Sequence, residues 1–151
     1  MRHIICFGNP LHGDDGFGPA VYQRLALLPL PEDLRLVEAG TPGLAALALF
    51  EGCDDVIIVD ALMPGGVPGQ LTRPPLETVE AETSLPGHGV GVGYLLQALA
   101  IQPKSLPRIQ IIAVETSAVA LFRPGLSEPV ARAVEEAVSL LSKYFQLNSH
   151  D

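Results

Sequence analysis

The sequence contains few basic residues, which restricts the partners this chain can have. Among its 151 residues, nine lysines and arginines stand against 17 aspartates and glutamates, so the formal net charge is −8. A protein that holds nucleic acid through its phosphates needs a patch of Lys and Arg side chains, and no such patch is visible. We therefore expect no nucleic acid partner.

Long hydrophobic runs are absent as well. No apolar stretch reaches the roughly 18 residues that a membrane-spanning helix requires, and the first residues lack the pattern of a signal peptide. Hydrophobic residues nevertheless make up 48% of the chain and charged residues 17%, a balance that argues against disorder. This composition predicts a globular protein with a buried core and no membrane insertion.

Cysteine is scarce too, with only Cys6 and Cys53 in the chain. They form no Cys-x-x-Cys pair, so neither a disulfide framework nor a thiolate zinc site is indicated. We expect two thiols in the core of a protein from a reducing compartment, and hence a cytoplasmic location.

Several catalytic motifs are missing. There is no His-Glu-x-x-His sequence, which excludes the zincin arrangement, and no Gly-x-Ser-x-Gly elbow of the kind that α/β-hydrolases use. The glycine-rich segment near the start of the chain contains neither Gly-x-Gly-x-x-Gly nor Gly-Lys-Ser/Thr, so it is not a dinucleotide fingerprint or a P-loop.

That segment, Gly8–Gly18, is the most informative part of the sequence. It holds four glycines and one proline in eleven positions directly after a short apolar run, and it carries the adjacent acids Asp14 and Asp15. Such a segment folds into a tight loop at the end of a strand, and its paired carboxylates suit a cation better than a phosphate. Adjacent side chains in a loop diverge, so we expect one acid to face a crevice; alternatively, the pair caps the first helix.

Alternating strand-like and helix-like segments predict an α/β fold. We expect three layers, α/β/α, as in phosphorylase/hydrolase-like proteins, with a twisted, mainly parallel sheet and the first strand in its interior. Residues 1–147 form a single domain and residues 148–151 a flexible tail. The expected strands are His3–Phe7, Leu34–Val37, Val56–Val59 and Ile109–Val114, with Gly69–Arg73 as a short additional strand. The expected helices are Pro19–Leu28, Gly43–Glu51, about Val90–Ile101 and Glu128–Phe145, the last opened by Ser127 as N-cap.

The segment Met63–Gly87 is proline-rich and shows no clear element. A connection of this length inside a compact domain is more often functional than idle, although a surface loop wrapped around an edge strand is an equal alternative.

Polar residues that could carry chemistry stand at the ends of predicted elements. Asp15 follows the first strand, Asp60 closes the third, and His88 precedes a helix. If the first strand lies between the second and third, these side chains meet in the crevice at the carboxyl ends of the strands. Two carboxylates and an imidazole suit a divalent transition metal, whereas each residue alone also fits a turn, a cap or a solvated loop. His12 is a candidate accessory group.

Taken together, the motifs resemble those of the hydrogenase maturation endopeptidases, and the resemblance covers nearly the whole chain. This family trims the C-terminal extension from the large subunit of nickel–iron hydrogenases. The matching segments, in chain order, are Gly8-Asn9 with Gly13–Gly18, Glu38–Gly43, Val56–Ala61, His88–Val92 leading into Leu95–Leu99, and Gly125–Ser127.

The resemblance implies residue roles and a metal. It implies that Asp15, Asp60 and His88 are catalytic and bind nickel, and that Glu38, Gly40 and Thr41 recognise the substrate. The nickel is expected to arrive already inserted in the precursor, with other divalent metals able to substitute in vitro. The implied enzyme is a metal-dependent, aspartic-type endopeptidase, a monomer whose partner is the large-subunit precursor.

The sequence departs from the family pattern in three places, one of which is Val114-Glu115-Thr116, where the proline that the family often has after that strand is missing. Glu38-Ala39 stands where the family usually has Asp-Gly, and Asp15 is shorter than the Glu of some members. A non-catalytic, metal-dependent assembly factor for the same precursor is the alternative function. A flavodoxin-type nucleotide-binding domain is a third reading, which the acidic first loop disfavours.

Overall fold

The computed structural model describes residues 1–82, 92–117 and 123–147. Within these ranges the chain forms one sheet with helices on both faces. The predicted site residue His88 and the predicted tail 148–151 lie outside the described residues.

The sheet has five strands in the spatial order β2-β1-β3-β5-β4. The first four in that order run parallel, and β4 is antiparallel to β5. The strands are β1 Arg2–Phe7, β2 Leu34–Gly40, β3 Asp55–Leu62, β4 Leu71–Thr72 and β5 Arg108–Glu115. The mainly parallel sheet confirms the predicted fold class, and β1 lies in the interior as expected.

The strands form because their residues are apolar and often β-branched over consecutive positions. In β1, every residue from His3 to Phe7 is buried, and in β3 the run Val56–Val59 is buried. Consecutive buried residues, with no alternation of buried and exposed positions, are typical of parallel strands that are covered on both faces.

Helices cover both faces of the sheet. The α-helices are α1 Phe17–Leu25, α2 Leu76–Glu82, α3 Val92–Ala100 and α4 Glu128–Phe145, and two 3-10 helices span Gly13–Gly16 and Leu44–Phe50. Among the residues that the structure describes, no helix is long and apolar enough to cross a membrane.

Two apolar cores lie on opposite faces of the sheet. The first packs α1 and α4 against the sheet and includes Cys6, Val59 and Leu141. The second packs α2, α3 and the Leu44–Phe50 helix against the other face and includes Ile58. This arrangement is the three-layer architecture that the sequence predicts.

Two expectations about the second face need correction. The segment expected as a helix over Gly43–Glu51 forms a 3-10 helix over Leu44–Phe50. It lies between an extended Gly43 and an extended Glu51, which is followed by Gly52 at φ +70°, and 3-10 winding is common in such short connecting pieces. The connection Met63–Gly87 is less irregular than expected. It contains the anticipated short strand β4 and also the helix α2, which begins directly after two prolines whose backbone favours a helix start.

The two thiols differ in burial. Cys6 is fully buried in the first core, whereas Cys53 is half-buried and its Sγ–H donates to the Phe50 carbonyl oxygen at 3.4 Å. Both cysteines are free. The expectation of two core thiols is therefore right for Cys6 and wrong for Cys53, which lies at the margin of the second core.

Candidate active site

A cleft opens where β1, β3 and β5 end. The strand that follows β1 in the sequence, β2, lies on one side of β1, and the next strand, β3, lies on the other side. The strand order therefore reverses at β1. Such a reversal creates a ligand crevice at the carboxyl edge of a parallel sheet. The cleft has a volume of about 140 Å³. Its lining residues are His12, Asp14, Asp15, Ala61, Leu62, Met63, Pro64, Thr116 and Ser117.

Glycines allow two segments to pack closely on the end of β1. They are the acidic turn, Gly13–Gly16, which carries both aspartates, and the start of α1. A Cβ atom at Gly8, whose φ is +141°, would lie 2.1 Å from the Asp15 carbonyl oxygen. A Cβ atom at Gly18 would lie 2.0 Å from the Phe7 carbonyl oxygen. A real Cβ does not tolerate such distances, so glycine at positions 8 and 18 allows a close approach of backbone segments.

The two adjacent acids diverge, as expected. Asp15 is half-buried at the cleft, and its Oδ2 accepts a hydrogen bond from the Asn9 backbone N–H at 2.8 Å. Asp14 is only 5% exposed and accepts hydrogen bonds from Ser117 and Ser127 instead. Asp14 therefore does lie at a helix start, but the helix is α4 and not the first helix.

Asp60 lies close enough to Asp15 for their charges to interact. Its Oδ1 accepts a hydrogen bond from the Ala61 backbone N–H at 2.8 Å. Burial raises the pKa of Asp60 to about 8; the Ala61 hydrogen bond opposes this rise, and the negative charge of Asp15 adds to it. Burial likewise raises the pKa of Asp15, against the hydrogen bond from Asn9 and the nearby His12. A cation bound near these two carboxyl groups would favour their ionised forms and offset the repulsion between their charges.

The structure thus brings together two of the three predicted ligands. His88 lies outside the described residues, and within the described ranges no three His, Cys, Asp or Glu side chains form a group that could hold a metal ion. His12, the candidate accessory group, lines the cleft beside Asp15.

Comparison with known proteins identifies the family. The model of the family described as HycI, hydrogenase maturation protease, matches residues 20–144. The chain belongs to this family. The coarse function, a peptidase of hydrogenase maturation, follows from membership.

Individual relatives agree with this assignment. The hydrogenase expression/formation protein HoxM of Azotobacter vinelandii is 29% identical over 148 residues, which cover 93% of this chain and 70% of that protein. The hydrogenase 2 maturation peptidase of a Thaumarchaeota archaeon has a TM-score of 0.68 at 29% identity, covering 97% of this chain and 99% of the other. The hydrogenase maturating endopeptidase HybD of Escherichia coli has a TM-score of 0.82 at 22% identity, covering 98% and 93%, and shows the shared fold.

The residues predicted to recognise the substrate, Glu38, Gly40 and Thr41, are not among the residues that line the cleft. Glu38 is exposed on β2 and pairs with Cys6, a residue of the first core. Asp60 lies between Ile58 and Leu62, which belong to the second core. Because side chains alternate along a strand, Glu38 and Asp60 are on opposite faces of the sheet. The recognition role of Glu38 stays a prediction.

Gly40 and Thr41 end the same strand. Gly40 has φ +67°, and its carbonyl oxygen accepts a hydrogen bond from the Gly8 N–H at 2.9 Å, which ties the end of β2 to the end of β1. Thr41 is exposed. Their assigned roles also stay predictions, although both residues lie at the edge of the sheet where the cleft opens.

Sequence reasoning missed one wall of the cleft. Thr116 and Ser117 follow β5, and the Thr116 hydroxyl donates to the Leu62 carbonyl oxygen at 2.7 Å, joining the ends of β5 and β3. The signal was available, since both are polar residues placed just after a buried strand, as Asp60 is placed at the end of β3.

Proposed function

We propose that this chain is the endopeptidase that removes the C-terminal extension from a nickel-loaded precursor of a nickel–iron hydrogenase large subunit. Membership of the hydrogenase maturation protease family supports peptidase activity. The observation that carries the proposal is the proximity of two carboxyl groups at this edge of the sheet: Asp15 lines the cleft, and its negative charge adds to the raised pKa of the nearby Asp60.

In this proposal the nickel is part of the substrate. Asp15, Asp60 and His88 bind it, and the donor chemistry of two carboxylates and an imidazole fits a divalent transition metal, so other divalent metals can substitute in vitro. The proximity of Asp15 and Asp60 supports this fit, because a cation bound between their carboxyl groups offsets the repulsion of their charges. When bound, the metal supplies Lewis acidity that polarises a scissile carbonyl or activates a water molecule.

The residues of the chain contribute orientation and charge. The Asn9 N–H donates to one carboxylate oxygen of Asp15, which lines the cleft, and the Ala61 N–H donates to one carboxylate oxygen of Asp60. In this proposal the second oxygen of each carboxylate binds the metal. Both aspartates thus act as metal-binding and catalytic groups, an aspartic-type arrangement. Without thiolate donors the site is weak when alone, so cleavage depends on the arrival of a loaded precursor.

We further propose that the protein works as a cytoplasmic monomer. Free thiols at Cys6 and Cys53 support a reducing compartment. Packing of helices on both faces of the sheet supports a monomer, because the large apolar faces are already covered within the chain.

The direct test is incubation of the purified protein with nickel-loaded precursor, followed by mass measurement of the large subunit. The wild type should remove the C-terminal extension, and Asp60→Asn and His88→Ala should not. Asp54→Asn is a matched control, because Asp54 precedes the same strand at its opposite end and has an 85% exposed side chain. This control should process normally.

Two results would contradict the proposal. Normal processing by folded Asp60→Asn would show that the assigned site is wrong. Binding of loaded precursor by the wild type without any loss of mass would instead support the alternative, a non-catalytic assembly factor.

A further inference from the structure

Asp14 is a buried carboxylate that the proposed function leaves without a role. Its residue is 5% exposed, and a buried carboxylate needs hydrogen-bond donors on both oxygens. Oδ1 accepts from the Ser127 N–H at 2.7 Å. Oδ2 accepts from the Ser117 N–H at 2.9 Å and from the Ser127 hydroxyl at 2.9 Å. Three donors therefore satisfy one side chain.

These hydrogen bonds join three elements that are distant in sequence. Ser117 follows β5 and Ser127 begins α4, respectively 103 and 113 residues from Asp14. A backbone hydrogen bond from the Gly13 N–H to the Arg123 carbonyl oxygen, 2.8 Å long, joins the same two regions. The acidic turn is thus fastened to the β5–α4 connection at several points.

Asp14 also binds Ser127, the residue that directly precedes α4. Ser127 occupies the N-cap position with an extended backbone, but its hydroxyl makes no cap hydrogen bond to its own helix because it donates to Asp14. A carboxylate near a helix N-terminus is favourable, since the unpaired N–H groups there carry partial positive charge. The interaction therefore holds Asp14 and the start of α4 in one arrangement.

We propose that Asp14 is a positioning residue that acts through Asp15, an inference that rests on the proposed function. The two residues are consecutive in a single 3-10 turn, so anchoring the Asp14 side chain sets the backbone that carries Asp15. With that backbone in place, Asp15 accepts the hydrogen bond from the Asn9 N–H and lies close enough to Asp60 for their charges to interact. Misplacing a reacting group by about 1 Å can cost on the order of a hundredfold in rate.

The variant that tests this role is Asp14→Asn. The amide keeps the size of the side chain but has only one acceptor oxygen. Its NH2 group therefore lies opposite an N–H group of Ser117 or Ser127, and two donors cannot form a hydrogen bond with each other. We expect the kcat of precursor processing to fall by at least about tenfold, with the KM for the precursor unchanged. Ser127→Ala removes one of the three donors and should lower kcat less, and it is the second variant if Asp14→Asn does not fold.

A control separates positioning from stability. Leu141 is fully buried in α4, and Leu141→Ala destabilises that helix without touching the cleft. All assays are run well below the unfolding midpoint of every variant. Leu141→Ala should lower Tm and keep the wild-type kcat, whereas Asp14→Asn should lower kcat in the folded protein.

Two further readouts do not depend on processing. Nickel affinity, measured by calorimetry, should fall in Asp14→Asn and stay unchanged in Leu141→Ala. The NMR amide signal of Asn9 reports the hydrogen bond to Asp15 directly and should shift in Asp14→Asn, with or without metal or precursor. An unchanged Asn9 signal together with a normal kcat would overturn the positioning role. A wild type that fails to process the precursor would count against the proposed function, and the Asn9 signal would still decide the role of Asp14.

Discussion

At the scale of single residues, glycine at position 18, the second residue of α1, determines whether the start of α1 can sit against the end of β1. A Cβ atom there would lie 2.0 Å from the Phe7 carbonyl oxygen and 2.9 Å from its carbonyl carbon. Both contacts are with backbone, which cannot move without displacing β1, an interior strand of the sheet.

We therefore expect Gly18→Ala to lower the free energy of unfolding by about 3 kcal/mol or more. Urea denaturation followed by circular dichroism measures this change. Gly43→Ala is the control, because Gly43 has an extended backbone and no atom of the described residues lies within 4 Å of an added Cβ. It should change stability by less than about 0.5 kcal/mol. Equal stabilities of the two variants would contradict the close approach.

Asp60, a proposed metal ligand, carries a carboxyl group whose burial reduces the stability of the folded protein. Its pKa is raised to about 8 from the ordinary aspartate value of 3.8, mainly by burial. Between these two values the folded protein holds a proton that the unfolded chain releases, so stability falls as pH rises through this window.

Metal-free Asp60→Asn should therefore be more stable than the wild type at pH 8. The gain should be at least about 1.4 kcal/mol, the equivalent of one pKa unit, and should shrink toward zero near pH 4. Unfolding in urea with a chelator present, repeated across this pH range, measures the difference. The exposed control Asp54→Asn should show no such trend, and a pH-independent difference for Asp60→Asn would contradict the raised pKa.

At the scale of elements, the connection between β3 and β4 approaches other parts of the protein closely at two glycines. A Cβ atom at Gly69, whose φ is +86°, would lie 2.6 Å from the Pro129 carbonyl oxygen of α4. A Cβ atom at Gly66 would lie 2.5 Å from the Glu115 carboxylate. Backbone cannot give way, whereas the end of a glutamate side chain can rotate.

Gly69→Ala should consequently cost about 2–4 kcal/mol through clash and strain at positive φ. Gly66→Ala, in the same loop, should cost less than about 1 kcal/mol. Thermal and urea unfolding of the two variants test the contrast. A larger loss for Gly66→Ala would show that the Glu115 carboxylate, and not α4, holds this loop.

At the scale of the whole molecule, recognition and chemistry are expected to occupy different parts of the sheet edge. Glu38 is exposed on β2, on the opposite face from Asp60, whereas the cleft lies at the ends of β1, β3 and β5. Loops on a rigid sheet are where recognition contacts usually vary.

Glu38→Ala should accordingly weaken precursor processing through a higher KM, about tenfold if one charge-assisted contact is lost, with nickel affinity unchanged. The sharper trial exchanges Glu38–Gly43 with the same segment of a family member that serves another hydrogenase and scores both precursors. If preference stays with the host protein in both directions, the segment does not set selectivity, and the proline-rich connection Met63–Gly87 becomes the next candidate.

The amino-acid sequence by itself determined the strands and the neighbourhood of the two carboxyl groups. Apolar runs such as Val56–Val59 identify buried parallel strands, and in such a sheet the residues that follow β1 and end β3 must meet at one edge. The first strand was expected between the second and third, and it lies there. These inferences succeed because they need only local hydrophobicity and the geometry of a parallel crossover.

Tertiary structure alone decided the partner of Asp14, the face that Glu38 occupies and the pKa of Asp60. Asp14 binds the start of a helix 113 residues away and not the helix that follows it. Glu38 and Asp60 both stand at strand ends in the sequence, yet they lie on opposite faces of the sheet. Periodicity along the chain reports only near neighbours, whereas hydrogen-bond partners and burial depend on which distant segments pack together.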